Sequence, residues 1–353
     1  MRGSVAGRRG THCLTQEAKM LSRKAGIGAA VCMALLFVGR NAHSFQPLKQ
    51  RMFEITYRAV VKDIPTGAKQ VEVWIPIPQS DAHQKISRLK INAPVFYKIT
   101  RENEYGNKSL YLIVKEPKES TLTVEMTFQA TRHEHVNRPF LAASKGNGHT
   151  LTADEERLMR RFLQPDALVP INQRIRTLSQ EVAGDKTDEP SKVRAIYDYV
   201  ITHVKYDKSG QGWGRGDLMY VCDEKRGNCS DFHAMIIGMA RAQNIPARFA
   251  IGLPLPMQRG EGKIGGYHCW AELYLKDYGW VPVDASEAAK DPSKKEYFFG
   301  AHDENRVQFS LGRDITLSPA PKSGPLNFFI YPYVEVDGKT HGAVEKEFAY
   351  KDL

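Results

Sequence analysis

Cysteine is scarce in this chain, five residues in 353, and none stand as Cys-x-x-Cys; no His-x-x-x-His pair occurs either. The spacings that mark structural zinc are therefore missing. Cys229, His233, His268 and Cys269 would have to hold such an ion together, yet strand alternation turns Cys269 away from His268. No metal and no cofactor are expected. Glycine is concentrated in Ser209-Gly210-Gln211-Gly212-Trp213-Gly214-Arg215-Gly216, which does not follow a strand and carries no Gly-Lys-Ser/Thr. That argues against a loop cradling phosphates. The apolar run Ile27–Val38 is only twelve residues, too short to cross a bilayer comfortably. Internal repeats and low-complexity tracts are absent.

An even spread of positive charge is missing too. The formal net charge is +10, but residues 1–44 hold seven Lys or Arg and one acidic residue, which is +6. The remainder has 43 basic and 39 acidic residues, only +4, so no basic face for nucleic acid is expected. The same 44 residues read as an export signal. Arg23 and Lys24 precede the apolar run, and Asn41-Ala42-His43-Ser44 supplies small residues where a signal peptidase cuts. Cleavage after Ser44 leaves Phe45 first, and Met20 is an alternative start. The expected location is periplasmic or secreted, with no stable membrane insertion after cleavage. Cys13 and Cys32 then leave with the leader. Cys222, Cys229 and Cys269 remain, an odd number in an oxidising compartment, so at least one thiol stays free. Whether Cys222 pairs with Cys269 is left open.

With 42% apolar and 25% charged residues, the rest has the composition of a globular protein. Apolar alternation at Phe53-Ile55-Tyr57, Val71-Val73-Ile75, Leu110–Val114 and Leu122-Val124-Met126-Phe128 predicts a small β-sandwich over residues 45–135. A linker with Pro139, Gly146 and Gly148 is expected over 136–149. Helices are predicted from Thr152, from about Asn172 to Val182 with an end near Gly184, and from Pro190 with Val193, Ile196, Tyr197, Val200, Ile201 and Val204 as its core stripe. The catalytic domain is placed at 150–300, with a C-terminal β extension of that domain at 301–353.

Chemistry gathers in three places. In Gly227-Asn228-Cys229-Ser230-Asp231-Phe232, Asn228 caps a helix and Cys229 stands at its start, where free N–H groups and the dipole favour a thiolate. His268 lies in the strand Tyr267-His268-Cys269-Trp270-Ala271-Glu272-Leu273-Tyr274-Leu275, and Asp284 in the strand Trp280-Val281-Pro282-Val283-Asp284-Ala285. A turn centred on Asp277 sets Asp284 opposite Trp270, with His268 one diagonal step away; a turn centred on Lys276 sets His268 opposite Asp284. Either register keeps both side chains on one face. A thiol needs a base beside it, and the base needs a carboxylate to fix its tautomer. Trp213 and Gln211 are candidate oxyanion donors, beside the backbone N–H of Cys229.

These motifs, with Asn244-Ile245-Pro246-Ala247-Arg248 between them, resemble the transglutaminase-like core of bacterial proteins. The resemblance covers residues 190–290. It implies an α+β, papain-like fold, a helix packed on an antiparallel sheet, with Cys229 as nucleophile, His268 as base and Asp284 as orienting acid. The expected function is an exported cysteine enzyme acting on amide or peptide bonds through a thioester, an amidase or peptidase. The alternatives are an amine-accepting, cross-linking transglutaminase and a non-catalytic envelope protein that binds peptide or glycan. The expected partner is a protein or peptide substrate, with cell-wall peptide the natural class for that compartment.

Overall fold

A computed structural model describes residues 48–138 and 151–353. The leader expected at 1–44 lies outside them, as does the expected linker from residue 139 onward.

Alternation makes the first strands. In β1 (Gln50–Val61), Phe53, Ile55, Tyr57, Ala59 and Val61 turn inward. The strands β2 (Gln70–Ile77), β3 (Gln84–Asn92), β4 (Tyr97–Arg101), β5 (Lys108–Lys115), β6 (Leu122–His133) and β7 (His135–Val136) follow. Each large apolar side chain taken fully out of water contributes about 1.5–3 kcal/mol, so a one-residue slip would lose a whole face. Next come α1 (Ala153–Arg161), α2 (Gln173–Ala183), α3 (Glu189–His203), β8 (Lys205–Tyr206), α4 (Leu218–Glu224), β9 (Arg226–Gly227) and α5 (Cys229–Ala242). Thr152, Asn172 and Asp188 cap the first three helices with their side chains, where orphan N–H groups need acceptors. The chain ends through β10 (Ala247–Pro254), β11 (Glu261–Ile264), β12 (His268–Leu275), β13 (Gly279–Val283), α6 (Ala285–Lys290), β14 (Ala301–His302), β15 (Arg306–Leu311), β16 (Tyr333–Val336), β17 (Lys339–Thr340) and β18 (Val344–Asp352).

Two five-stranded sheets, ordered β11-β18-β1-β6-β3 and β17-β16-β2-β5-β4, form the β-rich part. A four-stranded antiparallel sheet, β13-β12-β10-β15, carries α5 against β12 and β10, with α2, α3, α4 and α6 packed around that helix. Residues Cys229 to Arg241 of α5 are all buried, so it is a core helix with no solvent face. The arrangement is α+β, with the helix-on-sheet core that the motifs imply.

The C-terminal expectation needs correction. Only β15 joins the core sheet; β18 pairs with β1 over its whole length, and β16 pairs with β2. The tail therefore completes both N-terminal sheets rather than extending the core. Without β18, β1 would expose a ladder of unpaired backbone groups. No helix among the described residues is long and apolar enough to cross a membrane.

Candidate active site

The start of α5 is tightly built. Asn228 Oδ1 accepts from Ser230 N at 2.9 Å, and Asp231 Oδ2 accepts from Asn228 N at 2.9 Å, a reciprocal cap. Asp231 also accepts from Gly214 N at 2.6 Å and Gly216 N at 2.9 Å, so it pins the glycine-rich loop beside the helix start. Residue 227 has to be glycine: a Cβ there would lie 2.3 Å from Asp231 Oδ2. Tyr267, next to His268, ties helix to strand, its hydroxyl 2.9 Å from Ser230 Oγ and 3.0 Å from Asn228 Nδ2. Cys229 thus sits buried on the first turn, its backbone N–H among the donors that the helix leaves unused.

The β12–β13 register pairs Ala271 with Val283 and Tyr274 with Trp280. Continued by one residue it sets Asp284 opposite Trp270, the turn centred on Asp277. His268 then reaches the carboxylate diagonally, with Nε2 at 2.7 Å from Asp284 Oδ2. A carboxylate only accepts, so Nε2 carries the proton and Nδ1 is left for the thiol. His268 and the Cys229 sulfur interact through hydrogen bonding and charge. Asp284 is fully buried and fully occupied. It caps α6, taking Ser286 Oγ at 3.1 Å and Glu287 N at 3.2 Å, and it accepts from Arg306 Nη1 at 3.1 Å.

The electrostatics point one way. Burial alone would raise the Asp284 carboxyl, but His268 and Arg306 outweigh it and hold it well below the usual carboxylate range. Burial would lower His268; the Asp284 carboxylate and the Cys229 sulfur instead raise it to about 10. Burial would raise Cys229, yet the neighbouring Cys269 thiol, the His268 imidazole and the charge of His233 bring it well below the usual thiol range. Each shift favours the charged form of its group, and each arises largely from its neighbours in the cluster.

Some neighbours were not anticipated. His233 is completely buried one turn after Cys229; its Nε2 lies 3.6 Å from Asp284 Oδ1, and its ring bonds the Cys229 carbonyl. The i, i+4 spacing on one helix face was the available signal. Arg306 is buried between Asp284 and Asp303, with its guanidinium 5.1 Å from the Trp270 ring. Cys269, expected to face away from His268, lies against α5 with its Sγ 3.8 Å from Ser230 Oγ and 3.7 Å from His233 Nδ1, and it bonds the same Cys229 sulfur that His268 does. Cys222, Cys229 and Cys269 are all free thiols, so no Cys222–Cys269 bridge forms. Gln211 is exposed and Trp213 half-buried, 5.9 Å from Lys208 Nζ, on the loop that Asp231 anchors.

A buried cysteine opening a helix, laid against an antiparallel sheet that carries a histidine and an aspartate, defines the papain-like thiol class of fold. Within that class, residues 176–285 match the family model of the transglutaminase-like superfamily core. Cys229, His268 and Asp284 all fall inside it. An uncharacterized protein of Haemophilus influenzae is 27% identical over 337 residues, covering 84% of this chain and 89% of that one. The uncharacterized protein YebA of Bacillus subtilis is 26% identical over 157 residues, 40% of this chain and 21% of its own. Among solved structures, a Cytophaga hutchinsonii protein provisionally named a cysteine protease aligns with a TM-score of 0.57 at 16% identity. That alignment covers 86% of this chain and 91% of the other, and it is a likeness of fold.

Proposed function

We propose that the chain is an exported thiol enzyme that opens amide or peptide bonds through a thioester, releasing the acyl group to water. The observation that carries this reading is the 2.7 Å contact from His268 Nε2 to Asp284 Oδ2, which leaves Nδ1 for the thiol at the start of α5. Cys229 sulfur attacks the carbonyl carbon, and the oxygen that becomes negative meets the backbone N–H of Cys229. Trp213 and Gln211, on the adjoining loop, are the side-chain candidates for the second donor. The imidazolium of His268 hands its proton to the departing amine, and the neutral ring then takes one from the water that cleaves the thioester. Asp284 keeps the ring in register and offsets its charge, and Arg306 keeps Asp284 ionised in turn.

The leader pattern around Arg23–Ser44 supports export, and outside the cell water and peptide are the abundant acceptor and donor. Protein or cell-wall peptide is the substrate class this reading selects. Mass spectrometry of a glutamine-containing peptide, incubated with and without a primary amine, tests it. Chain cleavage or a gain of about one dalton supports hydrolysis. An amine adduct would replace hydrolysis by transfer, and an unchanged peptide after exposure to protein with a reactive Cys229 would count against the enzyme.

A further inference from the structure

Away from Cys229, β7 and β14 pair so that His135 and His302 face each other directly across the ladder. Their rings lie at 87° with centroids 6.0 Å apart. Glu272, from β12, reaches the same spot: one ligand atom from each of the three residues falls within 4.8 Å of the others. All three are buried, His302 completely. Neither ring nitrogen of His302 has a hydrogen-bond partner, and neither does Nδ1 of His135. A buried polar atom without a partner costs about 1–3 kcal/mol, so three in one place call for an occupant.

We propose that His135, Glu272 and His302 form a binding site for one divalent transition-metal ion of the zinc class, distinct from the Cys229 site. Two imidazoles and one carboxylate are a donor set that this class of ion accepts, with water in the remaining position. The carboxylate is already oriented. Glu272 Oε2 accepts from Arg248 Nε at 2.7 Å and Oε1 from Trp270 Nε1 at 3.2 Å, the outer support that metal-binding carboxylates use. A cavity of about 500 Å³, lined by His135 and Glu272 together with His83, Arg132 and Arg248, gives a route in. The guanidiniums of that cavity limit the ion's affinity, and they make an anion or ordered water the rival occupant. None of the four side chains weighed above for zinc belongs to this site. A bound ion would staple the β7–β14 pair to β12, the strand that begins with His268.

The purified full chain, equilibrated with about 100 µM Zn²⁺ and freed of excess, should retain one equivalent by elemental analysis. Co²⁺ in its place should give visible d–d bands without the near-ultraviolet charge transfer of a thiolate ligand. His302→Ala should weaken binding at least ~10-fold; His135→Asn, on the two-residue strand β7, should do the same if the first variant folds poorly by circular dichroism. Under about 0.1 equivalent in the wild-type chain overturns the proposal. So does an equivalent that survives both substitutions, or one lost on Cys229→Ala.

Discussion

Removing the imidazole of His268 tests whether the thiol depends on it. In the wild-type chain, burial raises the Cys229 thiol, but the Cys269 and His268 contacts and the His233 charge reverse this and hold it low. A depressed thiol is thiolate above its folded pKa and loses that form only as pH falls through it. Alkylation by iodoacetamide should therefore be nearly flat between about pH 6 and 8. In His268→Ala one of the main opposing contacts is gone and burial acts with less opposition, so the thiol rises back towards its unperturbed value. Below that value the thiolate falls about tenfold per pH unit, which makes the rate climb ~100-fold over the same window. Absolute rates at one pH are a poor guide, because a low-pKa thiolate is also less nucleophilic, with a Brønsted slope of about 0.4–0.5. The shape of the profile escapes that correction. Burial pushes Cys222 and Cys269 up, so neither should label at these pH values, and peptide mapping can assign the adduct to Cys229. A tenfold-per-unit rise in the wild-type chain, or a flat profile in His268→Ala, refutes the thiolate–imidazolium pair.

Cys229→Ala should bring turnover below about 10⁻⁵ of wild type while leaving the circular dichroism spectrum unchanged; turnover above that level in that variant removes the mechanism. Asp284→Asn should cut kcat by about 10²–10⁴-fold, still above Cys229→Ala, because an amide orients the ring in the wrong tautomer. Its alkaline limb should also move down: His268 loses its proton as pH rises through about 10, and without the carboxylate burial pulls that value lower. A pH–kcat profile with an unmoved limb would contradict this. Arg306→Met should cost about 3–5 kcal/mol in urea unfolding, because it strands the buried Asp284 charge beside a partly covered Asp303. A loss under about 1 kcal/mol would mean that His268 and the α6 cap suffice.

What could be read ahead of the structure depended on which faces meet water. β1 and β6 have one wet and one dry side, so Phe53-Ile55-Tyr57 and Val124-Met126-Phe128 alternate visibly. β3 and β4 escaped notice because they are the edge strands of their sheets, and most of their side chains are exposed or half-exposed. No buried face imposes a period on them. β10 escaped for the opposite reason: it lies between β12 and β15 under α5, and nearly every residue is buried. A run covered on both sides shows no alternation and cannot be told from a short buried helix. The tail was misassigned because strand partners separated by nearly the whole chain, as β1 and β18 are, leave no local mark.

The site divides along the same line. Cys229, His268 and Asp284 each stand where one element ends and another begins, so a cap, a turn and an alternation locate them separately. His268 meets Asp284 through one register, which a seven-residue stretch of sequence around Asp277 can specify, and Cys229 joins them where α5 packs on β12. Arg306, His135 and His302 have no such address. Each is a polar residue on or beside a short strand, and its burial depends on what the rest of the chain lays over it. Charge on a buried residue is tolerable only with a partner, and the partner is a tertiary fact. Arg306 has Asp284 and Asp303, while His302 has no hydrogen-bond partner, and that contrast separates a side chain explained by the fold from one that still requires an occupant.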